Sequence, residues 1–215
     1  MKDSEELFGL VRQHRFGILF SAHDDDLKAT HLPFVIDEHS GAHGALLSHM
    51  AKANPHWKDL DQRDVLVVFP GPHAFVSSLW YEAKGSVPTW NYTAVHVRGR
   101  AEVLSDREAL KQLIRIMLKA YEPDSPIVRH LDDPEFASLL EAIVGFKIEI
   151  HEMEGKRKLN QNLPIEIQQK VITALRTLAD SDSQKIADLM TENLEQTAKN
   201  FDSVGPSLPI EPRRE

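Results

Sequence analysis

The 215-residue chain contains no cysteine. It therefore has no disulfide, no thiolate metal site and no cysteine nucleophile, as expected for a protein of a reducing compartment. No stretch approaches the roughly 18 apolar residues of a membrane span. The opening segment MKDSEELFGLVRQHRFG carries acids where a secretory leader needs a basic start and an apolar run. A soluble, cytoplasmic protein with no membrane partner is expected. Cationic excess is also missing: 25 Lys and Arg stand against 33 Asp and Glu, a net charge of −8. That balance argues against broad nucleic-acid binding, which needs a cationic surface, and leaves room only for a local basic patch.

Several chemical signatures are absent as well. The sequence has no GxGxxG, no Walker lysine loop, no GxSxG elbow and no HExxH. His39 and His43 are four apart, but Gly41 lies between them in turn context, so they do not read as a helical ligand pair. Asp24 to Asp26 is too short for a calcium loop. No metal site is assigned.

What is present is a globular balance of 41% hydrophobic and 27% charged residues, enough for a core without staples. Asp3 and Glu6 have capping-box spacing before a helix with Leu7, Leu10 and Val11 on one stripe. Short strands are predicted at Phe16 to Ser21, Leu27 to Ile36 and Ala45 to Ser48, joined by turns at Asp24 to Asp26 and Asp37 to His43. Asn54 and Pro55 suit the start of a short helix. Val65 to Phe69 is wholly apolar and reads as a strand buried on both faces; Pro70-Gly71-Pro72 then turns the chain. Thr93 to Val103 alternates, with Val95, Val97, Gly99 and Ala101 on one face and His96, Arg98 and Arg100 on the other. Ser105 with Glu108 would cap a helix ended by Pro123 and Pro126. Phe136 to Ala142 continues as helix, and Ile143 to Met153 is the last strand. Two amphipathic helices follow over 164–199, the second capped by Ser181 with Gln184, and the tail after Phe201 lacks periodicity, as disordered chains do. The division expected is a barrel domain over 1–163, helices over 164–200 packing on the barrel or a dimer partner, and a disordered tail over 201–215. This is an α+β chain with strands enough for a small barrel.

Three stretches carry candidate chemistry. Ser48, His49 and Lys52 deliver a hydroxyl, an imidazole and an ammonium at a strand end, a set that suits phosphate. Spacing alone fits an ordinary surface turn better. Thr30-His31-Leu32-Pro33 puts a proline inside a strand, which marks an edge or a place where backbone faces a ligand. Residues 71–92 hold His73, Trp80, Tyr81, Trp90, Asn91 and Tyr92, which suit a flat-ring pocket, a subunit interface or plain core packing. The C-terminal helix pair is the only helix-turn-helix candidate, and its second helix is nearly balanced in charge, so it reads as a packing pair.

These segments resemble the PaiB-like family, described as FMN-binding negative transcriptional regulators of the split-barrel flavoprotein fold. The resemblance lies in Ala29-Thr30-His31-Leu32-Pro33, His49 to Trp57, Val68 to Ser77, Val87-Pro88-Thr89-Trp90-Asn91-Tyr92 with the following Thr93 to His96, Ala142 to Phe146, and Lys158-Leu159-Asn160-Gln161-Asn162. It implies a six-stranded antiparallel split β-barrel of the FMN-binding type, with flanking helices and a C-terminal helical extension, forming a homodimer with FMN at the interface. Ser48, His49 and Lys52 would hold the phosphate. Thr30, His31, Leu32 and Pro33 would face the isoalloxazine, and Trp90, Asn91 and Tyr92 would shape the pocket. Ser78 and Leu79 stand where the family carries proline and serine, and Asn160 where serine is more usual. The resemblance gives no role to residues 171–215. DNA is the partner that a regulator implies. The alternatives are a flavin-dependent oxidoreductase, such as a flavin reductase or a pyridoxamine-oxidase-like enzyme with His31, His73 and His96 as candidate proton donors, and a haem-binding split-barrel protein.

Overall fold

The computed structural model describes residues 4–82 and 85–204, with backbone only for 200–204. The expected Asp3 cap and the tail beyond 204 lie outside the described residues. The elements run α1 (Ser4–Gln13), β1 (Phe16–His23), β2 (Asp26–Pro33), β3 (Val35–Asp37), β4 (Ala45–Ala51), β5 (Arg63–Val76), β6 (Thr89–Val103), α2 (Arg107–Tyr121), α3 (Pro134–Glu141), β7 (Ile143–Lys158), α4 (Ile165–Arg176) and α5 (Ser181–Val204). The strands form one sheet in the order β2-β1-β5-β6-β7-β4-β3. Among the described residues no helix is long and apolar enough to cross a membrane.

The sheet has seven strands rather than the expected six, and it is open, with β2 and β3 at its ends. The extra strand comes from a break in the segment 27–36. Pro33 has no N–H to give, and Phe34 turns inward to full burial. Its backbone is satisfied away from any strand: Phe34 N–H donates to Arg15 O at 2.8 Å, and the Tyr121 hydroxyl donates to Phe34 O at 2.9 Å. Before the break the chain pairs with β1, Thr30 opposite Leu19; after it β3 pairs with β4, Ile36 opposite Leu46.

Other boundaries also move. β5 runs straight through Pro70-Gly71-Pro72 instead of turning there, and Leu66 and Val68 are half-buried, so that strand has one inner face, not two. α2 is capped by Asp106, whose carboxylate accepts from Ala109 N–H at 2.8 Å, in place of Ser105. Asp180, not Ser181, accepts from the Ser183 N–H at the start of α5, and α5 continues past Phe201. Asn54 caps the short helix Pro55–Asp59 as expected, accepting from His56 N–H at 3.0 Å.

The chain divides into two compact units. The first comprises Met1–Gly71 with Ala94–Lys156, and the second Pro72–Thr93 with Arg157–Glu215. The first is built on Leu19, Phe34, Leu46, Phe69, Val97, Phe146 and Ile148, closed by Leu7, Leu10 and Val11 of α1. Phe146, Ile148 and Ile150 of β7 and Val95, Val97 and Ala101 of β6 supply this core, as their alternation demands. The second unit has its own core: Val171, Leu175, Ile186 and Met190 of α4 and α5 with Val76, Tyr81 and Leu159.

Candidate functional site

Within the first unit, the end of β2 meets the end of β4. The Ser48 hydroxyl, fully buried, donates to Pro33 O at 2.7 Å. The hydroxyl expected to meet a phosphate is thus used inside the fold, where it fastens β4 to the last residue of β2. His49 is half-buried, its Nδ1 lies 3.2 Å from Met117 Sδ, and burial pushes its pKa below the usual histidine value. Lys52 reaches solvent, while its backbone is fixed from two sides. Its N–H donates to Ala142 O at 2.8 Å, and its carbonyl accepts from Trp57 Nε1 at 3.0 Å.

Thr30 is held by a network in which His56 is the hub. His56 is 2% exposed. Its Nε2 lies 2.8 Å from Ser21 Oγ on β1 and its Nδ1 2.7 Å from Thr30 Oγ1 on β2. Asn54 Nδ2 donates to the same Thr30 oxygen at 3.3 Å. Because Asn54 Oδ1 takes the His56 N–H, the amide orientation is set, and Thr30 Oγ1 must accept from it. The Thr30 hydroxyl hydrogen is then free to go to His56 Nδ1, and His56 Nε2–H to Ser21. Burial first, and the charge of Lys28 second, hold the His56 pKa below its usual value. Lys28 itself is paired with Asp59 and with Asp26. His31 and Pro33 remain accessible beside this network, and the Phe16 ring tilts over His31 at 6.1 Å between centroids; Leu32 points into the core. His56 escaped the sequence reading. The signal available was the cap: an Asn-Pro-His start fixes the third residue's backbone, and so aims its ring.

On the far side of β1 and β2 lies an open cleft of about 670 Å³ floored by Phe20, Leu27, Ala29 and Leu66. Phe16 and Leu27 on the same outward face are 61% and 82% exposed. In register, Phe20 faces Ala29 on β2 and Leu66 on β5, so the apolar side chains form one continuous three-strand surface. Arg98 at its rim is paired with Glu152 at 3.2 Å.

The residues expected to shape the pocket from 90–92 belong to the second unit. Asn91 is fully buried, with its amide nitrogen 3.4 Å from Met190 Sδ. It is a buried residue of that unit, and its side-chain oxygen has no hydrogen-bond partner among the described residues. Tyr92 is half-buried, and Trp90 is 53% exposed with His73 and Phe75 around its ring. In the same unit Asn160 takes a left-handed backbone (φ 59°), and its amide donates to the Tyr81 hydroxyl at 3.2 Å.

Comparison with known proteins places this architecture. Residues 1–152 match the family model described as "Putative FMN-binding domain". "Protease synthase and sporulation protein PAI 2" of Bacillus subtilis (strain 168) is 35% identical over 198 residues, covering 90% of this chain and 94% of that protein. An uncharacterized protein of Emericella nidulans is 28% identical, covering 88% of this chain and 93% of its own length. Among solved structures, the flavocytochrome Anf3 from Azotobacter vinelandii matches with TM-score 0.59 at 19% identity, over 79% of this chain and 73% of that one. The FAD and heme binding protein from Mycobacterium smegmatis matches with TM-score 0.59 at 15% identity, over 80% and 78%. At those identities the two structures speak to the fold alone, and the fold is shared with both.

Proposed function

The chain belongs to the FMN-binding family whose model spans residues 1–152, and we propose that it is a PaiB-type regulator holding FMN at the β2–β4 junction of its first unit. The family match carries this reading, because it covers the segments that build that junction. The donor set fits the cofactor. Lys52 supplies an exposed ammonium on a fixed backbone, and His49 a second polar group three residues earlier on β4. Thr30, His31 and the Pro33 backbone line the neighbouring edge, where flavin ring atoms find donors and acceptors. FMN, when bound, brings its own hydride and one-electron chemistry. In this reading Ser48 and His56 are positioning residues: they set β2 by holding Pro33 and Thr30.

The same reading takes the apolar face of Phe16, Phe20, Leu27 and Ala29 as the seat of a second copy, making the protein a homodimer. Contiguous exposed apolar groups mark interaction surfaces, and subunit interfaces gather aromatic and aliphatic groups at their centre. Location in the cytoplasm fits the absence of cysteine. The regulatory role rests on the relationship to the Bacillus protein, and the DNA contact it implies is testable by anisotropy with the protein's own upstream DNA at two salt concentrations.

The deciding experiment is FMN titration of the full chain, read by flavin fluorescence, on wild type and Lys52→Ala. Saturable quenching weakened by the substitution supports the site. Quenching untouched by it removes Lys52 from the phosphate.

A further inference from the structure

The second unit contains a cleft of about 660 Å³ that the flavin reading does not use. One wall is aromatic. The Trp90 ring stands 5.8 Å from that of Phe75, at 66° to it, and 6.0 Å from the His73 imidazole, while Trp80 also lines the space. The other wall is the start of α5, with the carboxylates of Asp180 and Asp182. Among the described residues no Lys or Arg lines the cleft.

The charge of that second wall is firm. Asp180 accepts the Ser183 N–H at 2.8 Å, and this bond, first among the causes, holds its carboxyl below the usual range, so it stays ionised. Asp182 Oδ2 lies 3.4 Å from His73 Nδ1, and its Oδ1 lies 3.8 Å from Lys185 Nζ. Two carboxylates thus share one open cleft with the exposed Trp90 and Phe75 rings. Ring faces carry a negative quadrupole and attract cations, Trp most strongly. An anion would have to approach two carboxylates. A bare metal ion lacks its ligand set: among the described residues no group of three or more His, Asp or Glu could hold one. A neutral apolar ligand would gain nothing from the charge of the carboxylates.

We propose that the Trp90–Asp182 cleft binds an organic cation, an alkylated or primary ammonium carried on a carbon frame, seated on the Trp90 face with its charge toward Asp180 and Asp182. The site stands apart from the flavin reading, since no residue placed at the β2–β4 junction lines it. For a regulator it would be the natural place for an effector.

The test uses the full-length protein and a matched pair of probes, choline and its uncharged isostere 3,3-dimethylbutan-1-ol, followed by saturation-transfer NMR on the ligand methyl protons. Choline is expected to bind saturably in the millimolar range or tighter, and the isostere about five- to thirtyfold more weakly. Trp90→Leu, which keeps apolar bulk at an exposed position, should remove choline binding while far-UV circular dichroism stays unchanged. Asp182→Asn should weaken choline several-fold and leave the isostere unaffected. FMN titration of Asp182→Asn should match wild type, so failure of the flavin site and failure of this one are distinguishable. Equal binding of the two probes, choline binding that survives Trp90→Leu, or no saturation of wild type would each overturn the proposal. So would a shift of Trp90→Leu from dimer to monomer in sedimentation, which would make the cleft an interface.

Discussion

The Thr30 hydroxyl lies 2.7 Å from Nδ1 of His56, and the opposite nitrogen of the same ring lies 2.8 Å from Ser21. One buried imidazole therefore ties two adjacent strands to the Asn54–Asp59 segment. His56→Ala would leave Ser21, itself 6% exposed, without its ring partner and would open a void between the strands. The expected cost is about 2–4 kcal/mol in urea unfolding, the sum of a lost buried hydrogen-bond partner and a cavity. A cost below about 0.5 kcal/mol, the scale of an ordinary surface change, would show that the network does not hold β1 to β2.

The same burial makes stability depend on pH. His49 and His56 both have pKa values pushed below about 6.5, by burial in each case and for His56 also by Lys28. The unfolded chain then binds more protons than the folded one between the folded value and about 6.5, so stability is full above that window and falls as pH drops through it. Unfolding free energy should decline between about pH 7 and pH 5, a range above the window of the depressed carboxylates Asp59, Asp132 and Asp180. His49→Gln should flatten part of the decline. A slope identical to wild type in that variant would contradict the account.

Two glycines separate space from strain. A methyl at Gly99 on β6 would sit 2.2 Å from Glu149 O and 2.7 Å from Ile148 Cγ2. Gly99→Ala must therefore push β6 from β7 and should cost about 3 kcal/mol or more, the upper range of overpacking. A methyl at Gly9 meets nothing within 4 Å, and the residue lies inside α1. Gly9→Ala should raise stability by roughly 0.5–1 kcal/mol through helix propensity. Thermal unfolding of the pair tests both signs together.

Ser48 and Lys52 divide the phosphate expectation into two roles. Ser48→Ala removes the donor to Pro33 O and should cost about 1–3 kcal/mol of stability. Lys52→Ala, at an exposed position, should leave stability within about 0.5 kcal/mol and weaken FMN by roughly 1–3 kcal/mol. Urea unfolding beside FMN titration separates the two, and the reverse pattern would exchange their roles.

Alternation made much of the first unit legible. Val95, Val97 and Ala101 on β6 and Phe146, Ile148 and Ile150 on β7 are buried as their spacing requires. What spacing did not show was the break at Phe34, because the burial of that ring and the capture of its backbone by Arg15 and Tyr121 are tertiary. The straight run through Pro70-Gly71-Pro72 was hidden for the opposite reason: local turn chemistry was overridden by strand pairing. At the site, the partnership of Thr30–Pro33 with Ser48–Lys52 came from the family resemblance, since the two stretches are distant in sequence. That the Ser48 hydroxyl is engaged by Pro33 O was not legible, because residue type does not reveal whether a polar atom is spent on the fold. The Asp180–Asp182 wall facing Trp90 was not foreseen, as it joins segments about ninety residues apart.

The central claim is that this chain holds FMN. Its most direct test is the visible absorption spectrum of the freshly purified protein, followed by titration with FMN under fluorescence detection. The account predicts a flavin spectrum, or saturable quenching at one FMN per chain with micromolar or tighter affinity. A colourless protein that leaves FMN fluorescence unchanged would contradict it.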